Sequence, residues 1–142
     1  MSFLSDGWLR LQATLAHRRA CRQVARESIG RLAERIESAP VGASGRAVED
    51  VVRAHARAVH GRLGPRDSAC LERAFGLTIL LRRHGHAATL VVGIRPDRPG
   101  GAIEQGHAWV ELDGRPVAEP DGKTESYLEF LRAPSISPED RS

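Results

Sequence analysis

The sequence predicts an α+β fold: a helix headed by a cysteine, then a small antiparallel sheet, behind an N-terminal helical part. Three observations predict it. Apolar residues recur at helical spacing through most of the first sixty positions. The stretch CLERAFGLTILLRRHG (70–85) is apolar nearly all round, as a buried helix is. After it come two runs rich in β-formers, AATLVVGIR and HAWVEL. The second is joined to RPVAE through Asp113-Gly114, a strong hairpin signal.

Taken in order, residues 8–38 carry Trp8, Leu9, Leu11, Leu15, Val24, Ile29, Leu32 and Ile36 at spacings near three, four and seven, with Arg and Glu between. They predict one long helix or two short ones, with Gly30 as a break or a close helix contact. Cys21 lies inside this pattern and reads as a small packing thiol. APVGASG (39–45) is a loop. Residues 46–60 form a second helical run through Ala47, Val48, Val51, Val52, Ala54, Ala58 and Val59. His55 and His60 stand five apart on it, a spacing that suits no metal pair, and are expected at the surface or the rim. After GRLGP (61–65), Asp67 or Ser68 can cap the buried helix, which should end near His84 with Gly85 just past the cap. Arg82 and Arg83 in its last turn suit the helix dipole.

Residues 87–95 read as a strand, 95–106 as a loop, and 107–112 with 115–119 as the hairpin. A short helix is expected over 124–132, through Tyr127, Leu128 and Leu131. The chain thus reads as a single domain over 1–142, with a helical part (1–64) packed on a core (65–132) and a flexible tail (133–142).

Composition bounds the function. With 142 residues and 41% hydrophobic content the chain can bury a real core, and with 4% aromatics that core must be Leu, Val, Ile and Ala. The net charge of +3 comes almost wholly from arginine, Lys123 being the single lysine. No run of five or six like charges, aromatic platform or groove-reading motif points to nucleic acid. No signal-peptide pattern opens the chain, and no apolar run approaches the ~20 residues that span a bilayer. Cys21 and Cys70 belong to no disulfide framework, so reduced thiols in the cytoplasm are expected.

Chemistry concentrates between Cys70 and Glu119. At the head of its helix Cys70 meets unpaired backbone N–H groups and the positive end of the dipole. Both favour thiolate, and the same N–H groups suit a developing oxyanion. His107 opens a strand directly after Gly106. Cysteine, histidine and acid in that order read as nucleophile, base and orienting group. The hairpin register decides which acid meets the histidine. A two-residue Asp113-Gly114 turn would set His107 opposite Pro120 and turn Glu119 to the other face. A three-residue loop, Leu112-Asp113-Gly114, would pair His107 with Glu119 and Trp109 with Val117, and is preferred here for that opposite-charge pair. Asp121 is the alternative acid. Arg73, three residues after Cys70, lies on the same side of the helix as a support for the thiolate or a solvated charge. Trp109 either walls the site or fills the core. A zinc set of Cys70, His84, His86 and His107 lacks a second Cys or an acid at ligand spacing. No metal and no cofactor are expected.

CLERAFGLTILLRRHGHAATLVVGIR followed by HAWVELDGRPVAE resembles the stand-alone leader peptidase of lasso-peptide biosynthesis, the protease half of a split B protein. Its core is transglutaminase-like and related to the papain arrangement. The pattern is C-L-x-R-[SA], a leucine-rich helix ending R-R-x-G, a strand, H-A-W-V-E-x-D-G, and an acid twelve residues after the histidine. This chain matches at Cys70, Leu71, Arg73, Ala74, Gly85, Gly93, His107, Ala108, Trp109, Val110, Glu111, Asp113 and Gly114. It departs at the acid, usually Asp and here Glu119.

The resemblance implies a cysteine peptidase that removes the leader from a ribosomally made precursor peptide, with Cys70 as nucleophile, His107 as base and acid, and Glu119 orienting the ring. It implies two partners: a small leader-binding protein, for which this chain has no spare ~80 residues at its N-terminus, and an ATP-dependent cyclase that closes the lasso. Two readings compete. One is a transglutaminase-like or deamidating thiol enzyme; the other is a non-catalytic peptide-binding module on the same fold.

Overall fold

The structure, a computed structural model, describes residues 3–43, 45–60, 70–95, 106–119 and 123–135. They form four α-helices, α1 (Phe3–Arg26), α2 (Ile29–Ser38), α3 (Val48–His60) and α4 (Cys70–Arg83), then strands β1 (Thr89–Ile94), β2 (His107–Leu112), β3 (Arg115–Val117) and β4 (Leu128–Ala133). A single 3₁₀ turn, Lys123–Ser126, precedes β4. The strands make one antiparallel sheet in the order β3-β2-β1-β4. The α+β class read from the sequence holds, with helices first and a small antiparallel sheet after them.

The helical N-terminus is two helices. The break falls at Glu27 and Ser28 rather than at Gly30. Ser28 is extended and its hydroxyl accepts a hydrogen bond from the Arg31 N–H at 3.3 Å, the usual way a serine starts a helix. On α1 the buried residues are Leu9, Ala13, Ala16, His17 and Ala20, a stripe of mostly small side chains that lets another helix come close. That helix is α4, which also touches α2, α3, β1 and β2. At the crossing a Cβ on Gly76 would meet Ala20 Cβ and His55 Nε2, both at 3.2 Å. Phe75, Leu77, Leu80 and Leu81 fill the space around α4. A helix buried over most of its length, with Arg73 and Arg83 exposed, follows from its largely apolar circumference.

The end of α4 also follows the sequence. Gly85 takes a left-handed φ of 95°, and the His86 N–H reaches back to the Leu81 carbonyl at 3.0 Å. Arg82 is buried, with no carboxylate paired to it among the described residues. Its guanidinium donates to the carbonyls of Ala39 and Ala88 at 3.0 and 3.1 Å, tying the end of α2 to the start of β1.

Three expectations are corrected. Residues 128–133 are a strand, not part of a helix. β4 pairs with β1 and covers what would otherwise be its open edge, and Ala133, assigned to the tail, is fully buried as the last residue of β4. His55 is buried, 4% exposed, wedged against Gly76. The hairpin uses the two-residue turn. Leu112 pairs with Arg115 and Val110 with Val117, and Asp113 and Gly114 both have positive φ, 52° and 77°. That is the type I′ geometry whose twist matches the flanking strands. The caps Asp67 and Ser68, most of the 95–106 loop and the tail from 136 on lie outside the described residues.

Candidate active site

The sheet presents two unlike faces. Along β2, Ala108 and Val110 point to α4 and join the core with Leu90 and Ala133. His107, Trp109 and Glu111 point the other way, opposite Gly93, Val91 and Thr89 of β1.

The register creates a problem for the acid. Continued regularly from Val117, β3 would send Glu119 to the core face. The strand stops instead. Ala118 takes φ 60°, a left-handed conformation that costs a non-glycine residue about 1–2 kcal/mol. This turn brings Glu119 back to the face of His107. Its Oε2 lies 3.1 Å from His107 Nε2, both side chains nearly buried. The pair expected from the sequence is present, but the three-residue loop invoked for it is not; one inverted φ does that work. A carboxylate at Nε2 holds the proton of the neutral ring there and leaves Nδ1 as the basic nitrogen. Asp121, the alternative acid, lies outside the described residues.

Aromatic rings fix the imidazole from the sides. Trp109 stacks on it with centroids 5.9 Å apart, and Tyr127 stands 5.4 Å away. Gly93 makes room for both. A Cβ there would come within 2.8 Å of Tyr127 Cβ and 2.9 Å of the Trp109 ring. The indole N–H donates to Glu111 Oε2 at 3.0 Å, and Glu111 in turn pairs with Arg132 of β4 at 2.9 Å. Hydrogen bonds to Glu129 and Glu111 raise the Arg132 pKa above its ordinary value, so the charge that steadies Glu111 is fixed.

Cys70 is the first residue of α4, half-buried, its thiol not in a disulfide. It lines one cleft of about 290 Å³ with His107, Glu119, Trp109 and Arg73. No hydrogen bond joins its Sγ to His107 among the described residues. The cleft wall, not a direct bond, is what brings the two together here. A thiol at a helix head, an imidazole with one nitrogen free and a carboxylate behind it form a set suited to nucleophilic attack on a carbonyl. The zinc alternative is dispersed. The His84 ring faces Gln12 Oε1 at 3.0 Å, and His86 Nε2 reaches the Arg46 carbonyl.

Two neighbours escaped the sequence reading. Tyr127 follows an irregular turn, and no spacing connects it to His107. His55 was legible in principle, since it stands four residues from both Val51 and Val59, on the buried stripe of α3. Burial, with lesser contributions from His17 and Arg73, pushes its pKa down to about 4, and its Nε2 has no hydrogen-bond partner among the described residues. Behind it Cys21 lies 3.7 Å from His17 Nε2 and 3.7 Å from Glu72 Oε2, on the opposite side of α4 from the sheet hairpin.

Comparison with known proteins bears on this arrangement at the level of family. No curated protein and no solved structure matches the chain. A family model described as the transglutaminase-like superfamily matches residues 7–132, all four helices but the first turn of α1, and most of the sheet. The chain belongs to the transglutaminase-like superfamily.

Proposed function

We propose that this protein is a cysteine peptidase that removes the leader from a ribosomally synthesised lasso-peptide precursor. The observation that carries the reading is the cleft where Cys70, His107 and Glu119 meet, with Glu119 3.1 Å from His107 Nε2. The motif resemblance over residues 70–119 narrows a thiol enzyme of this superfamily to the leader peptidase.

In this reading the Cys70 thiolate attacks the carbonyl carbon at the leader–core junction. The S–C bond forms, and the oxyanion is held by N–H groups of the first turn of α4. The protonated His107 ring gives its proton to the leaving amine as the C–N bond breaks, freeing the core peptide and leaving a thioester. His107 then takes a proton from water, which attacks the thioester; the C–S bond breaks, the leader leaves as a carboxylate with its proton lost to solvent, and the Cys70 thiolate and protonated ring are restored. Glu119 keeps the ring oriented and stabilises its charged form. Arg73 stands exposed on the wall of the same cleft. A leader-binding partner suits the exposed Arg18, Arg19 and Arg22 on α1, and the cyclase acts on the freed core.

Mass spectrometry on the purified chain with a lasso-type precursor, with and without a leader-binding partner, tests this. A leader fragment is expected from the wild type and none from Cys70→Ala. The superfamily match favours a second reading, transfer or deamidation at a side-chain amide, which passes through the same thioester. There the precursor stays whole and changes by about one mass unit on deamidation. An intact, unchanged precursor under every condition sinks both.

A further inference from the structure

The cleft does not end at the thiol. From Cys70 it runs along α4 past Ala74 to Leu77, seven residues or about 10 Å of helix. Facing these are successive turns of α3, Val52, Ala56 and Val59, and Val117 of β3 closes the wedge. Leu77 and Val59 are buried at its floor, Val52 is half-buried and Ala56 is exposed at its lip. Among the described residues lining it, the formal charges are Arg73 and Glu119, both at the end where Cys70 and His107 stand. His55 and His60 also lie on the α3 wall: the low pKa of His55 keeps it neutral near pH 7, and His60 is exposed at the last residue of α3. Apolar side chains on three elements thus converge on an open space contiguous with the thiol, the composition of a site for an apolar group.

We propose that this wedge between α3, α4 and β3 is a subsite for an aliphatic side chain of the substrate, held next to the carbonyl that Cys70 attacks. The inference rests on the thiol site described above and adds to it the kind of residue that flanks the reacting bond. An aliphatic side chain loses water against Val52, Val59 and Leu77. A charged one would have to leave water for Val52, Val59 and Leu77, and the neutral His55 offers it no opposite charge. Ala56 on the α3 wall and Ala74 on the α4 wall are small and leave it width.

The test reads Cys70 directly and needs no precursor. The full chain is treated near pH 7 with iodoacetamide or N-butyl iodoacetamide. In each case the thiolate displaces iodide to form a thioether, and the Cys70 peptide is followed by mass so that Cys21 does not interfere. The butyl reagent should react roughly ten-fold faster than the parent at Cys70, the discrimination ordinary for an apolar pocket. Ala56→Glu, a change at an exposed helix position, should remove that preference and leave the iodoacetamide rate within about two-fold. Ala56→Leu should do the same by filling the wedge. Equal rates for the two reagents in the wild type, or a preference unchanged in both variants, overturn the subsite while the thiol reading stands. A Cys70 inert to both reagents overturns the thiol reading and the subsite with it.

Discussion

The two faces of the sheet alternate along the same strands and have little else in common. The face toward α4 is Leu90, Ala108, Val110 and Ala133, buried, apolar and interchangeable in kind. The other face is Val91, Gly93, His107, Trp109, Glu111 and Arg132, where each group is set by a specific neighbour. One face holds the chain together, and the other holds one imidazole in place. Burial alone does not separate them, since Trp109 is as buried as Leu77. What separates them is whether a side chain has a directional partner.

This contrast can be broken at several points. The largest effect belongs to the apolar side. Phe75→Ala removes the largest fully buried side chain and should cost about 3–5 kcal/mol in urea unfolding. If it unfolds the chain outright, Leu80→Ala gives a milder reading of the same loss.

Next comes the histidine that the apolar side has absorbed. The pKa of His55 falls from 6.5 to about 4 on folding, so between those values the unfolded chain binds the proton and the folded chain does not. Its neutral burial is therefore fully tolerated above pH 6.5, and stability is lost as pH falls from there toward 4. The loss is on the order of 3 kcal/mol. His17 and His84, also lowered mainly by burial, add to the slope in the same direction. Unfolding measured from pH 7 to 4 should show this fall, and His55→Leu should flatten most of it. A slope unchanged in that variant would mean that His55 is not what the acid limb reports.

On the other face the expected signature is reversed. Glu119→Gln keeps the shape and an acceptor for His107 but removes the charge. Turnover of a precursor should drop by roughly 100-fold, with urea stability changed by less than about 1 kcal/mol. A stability loss comparable to that of Phe75→Ala would erase the division between the faces. The smallest effect is a gain. Ala118→Gly removes the left-handed cost, partly offset by a looser unfolded chain, and should stabilise by up to about 1 kcal/mol. The His107–Glu119 contact should persist, as judged by unchanged turnover.

Much of this was legible in the sequence. The helices announce themselves by apolar spacing, and α4 by having no polar side. Asp113-Gly114 marks the turn, and Cys70, His107 and Glu119 stand in the order that the proposed site needs. Two of the differences share a cause: a residue that departs from its local period. In β4 the pairing slips between Val92 and Gly93, so that Glu129 and Leu131 face neighbouring residues of β1 and Phe130 is left over. That extra residue spoils the strand alternation and spaces Leu128 and Leu131 as a helix would. Glu119 meets His107 by a route other than the three-residue loop, because the left-handed turn at Ala118 leaves no trace in residue type. Glycine or asparagine would have signalled it. His55 was misplaced because a histidine on an apolar stripe is read by its chemistry and not by its position.

The conformation of Ala118 has a further consequence, which concerns chirality. The even-numbered turn puts β2 and β3 in a parity that directs the acid away from the imidazole, and one residue of reversed handedness corrects it. Whether Glu119 and His107 meet therefore turns on a single stereocentre, that of the residue before Glu119. A chain assembled with D-alanine at that position would have the mirror-image preference built in. It would reach the same pairing without strain, with every atom of the site chemistry unchanged.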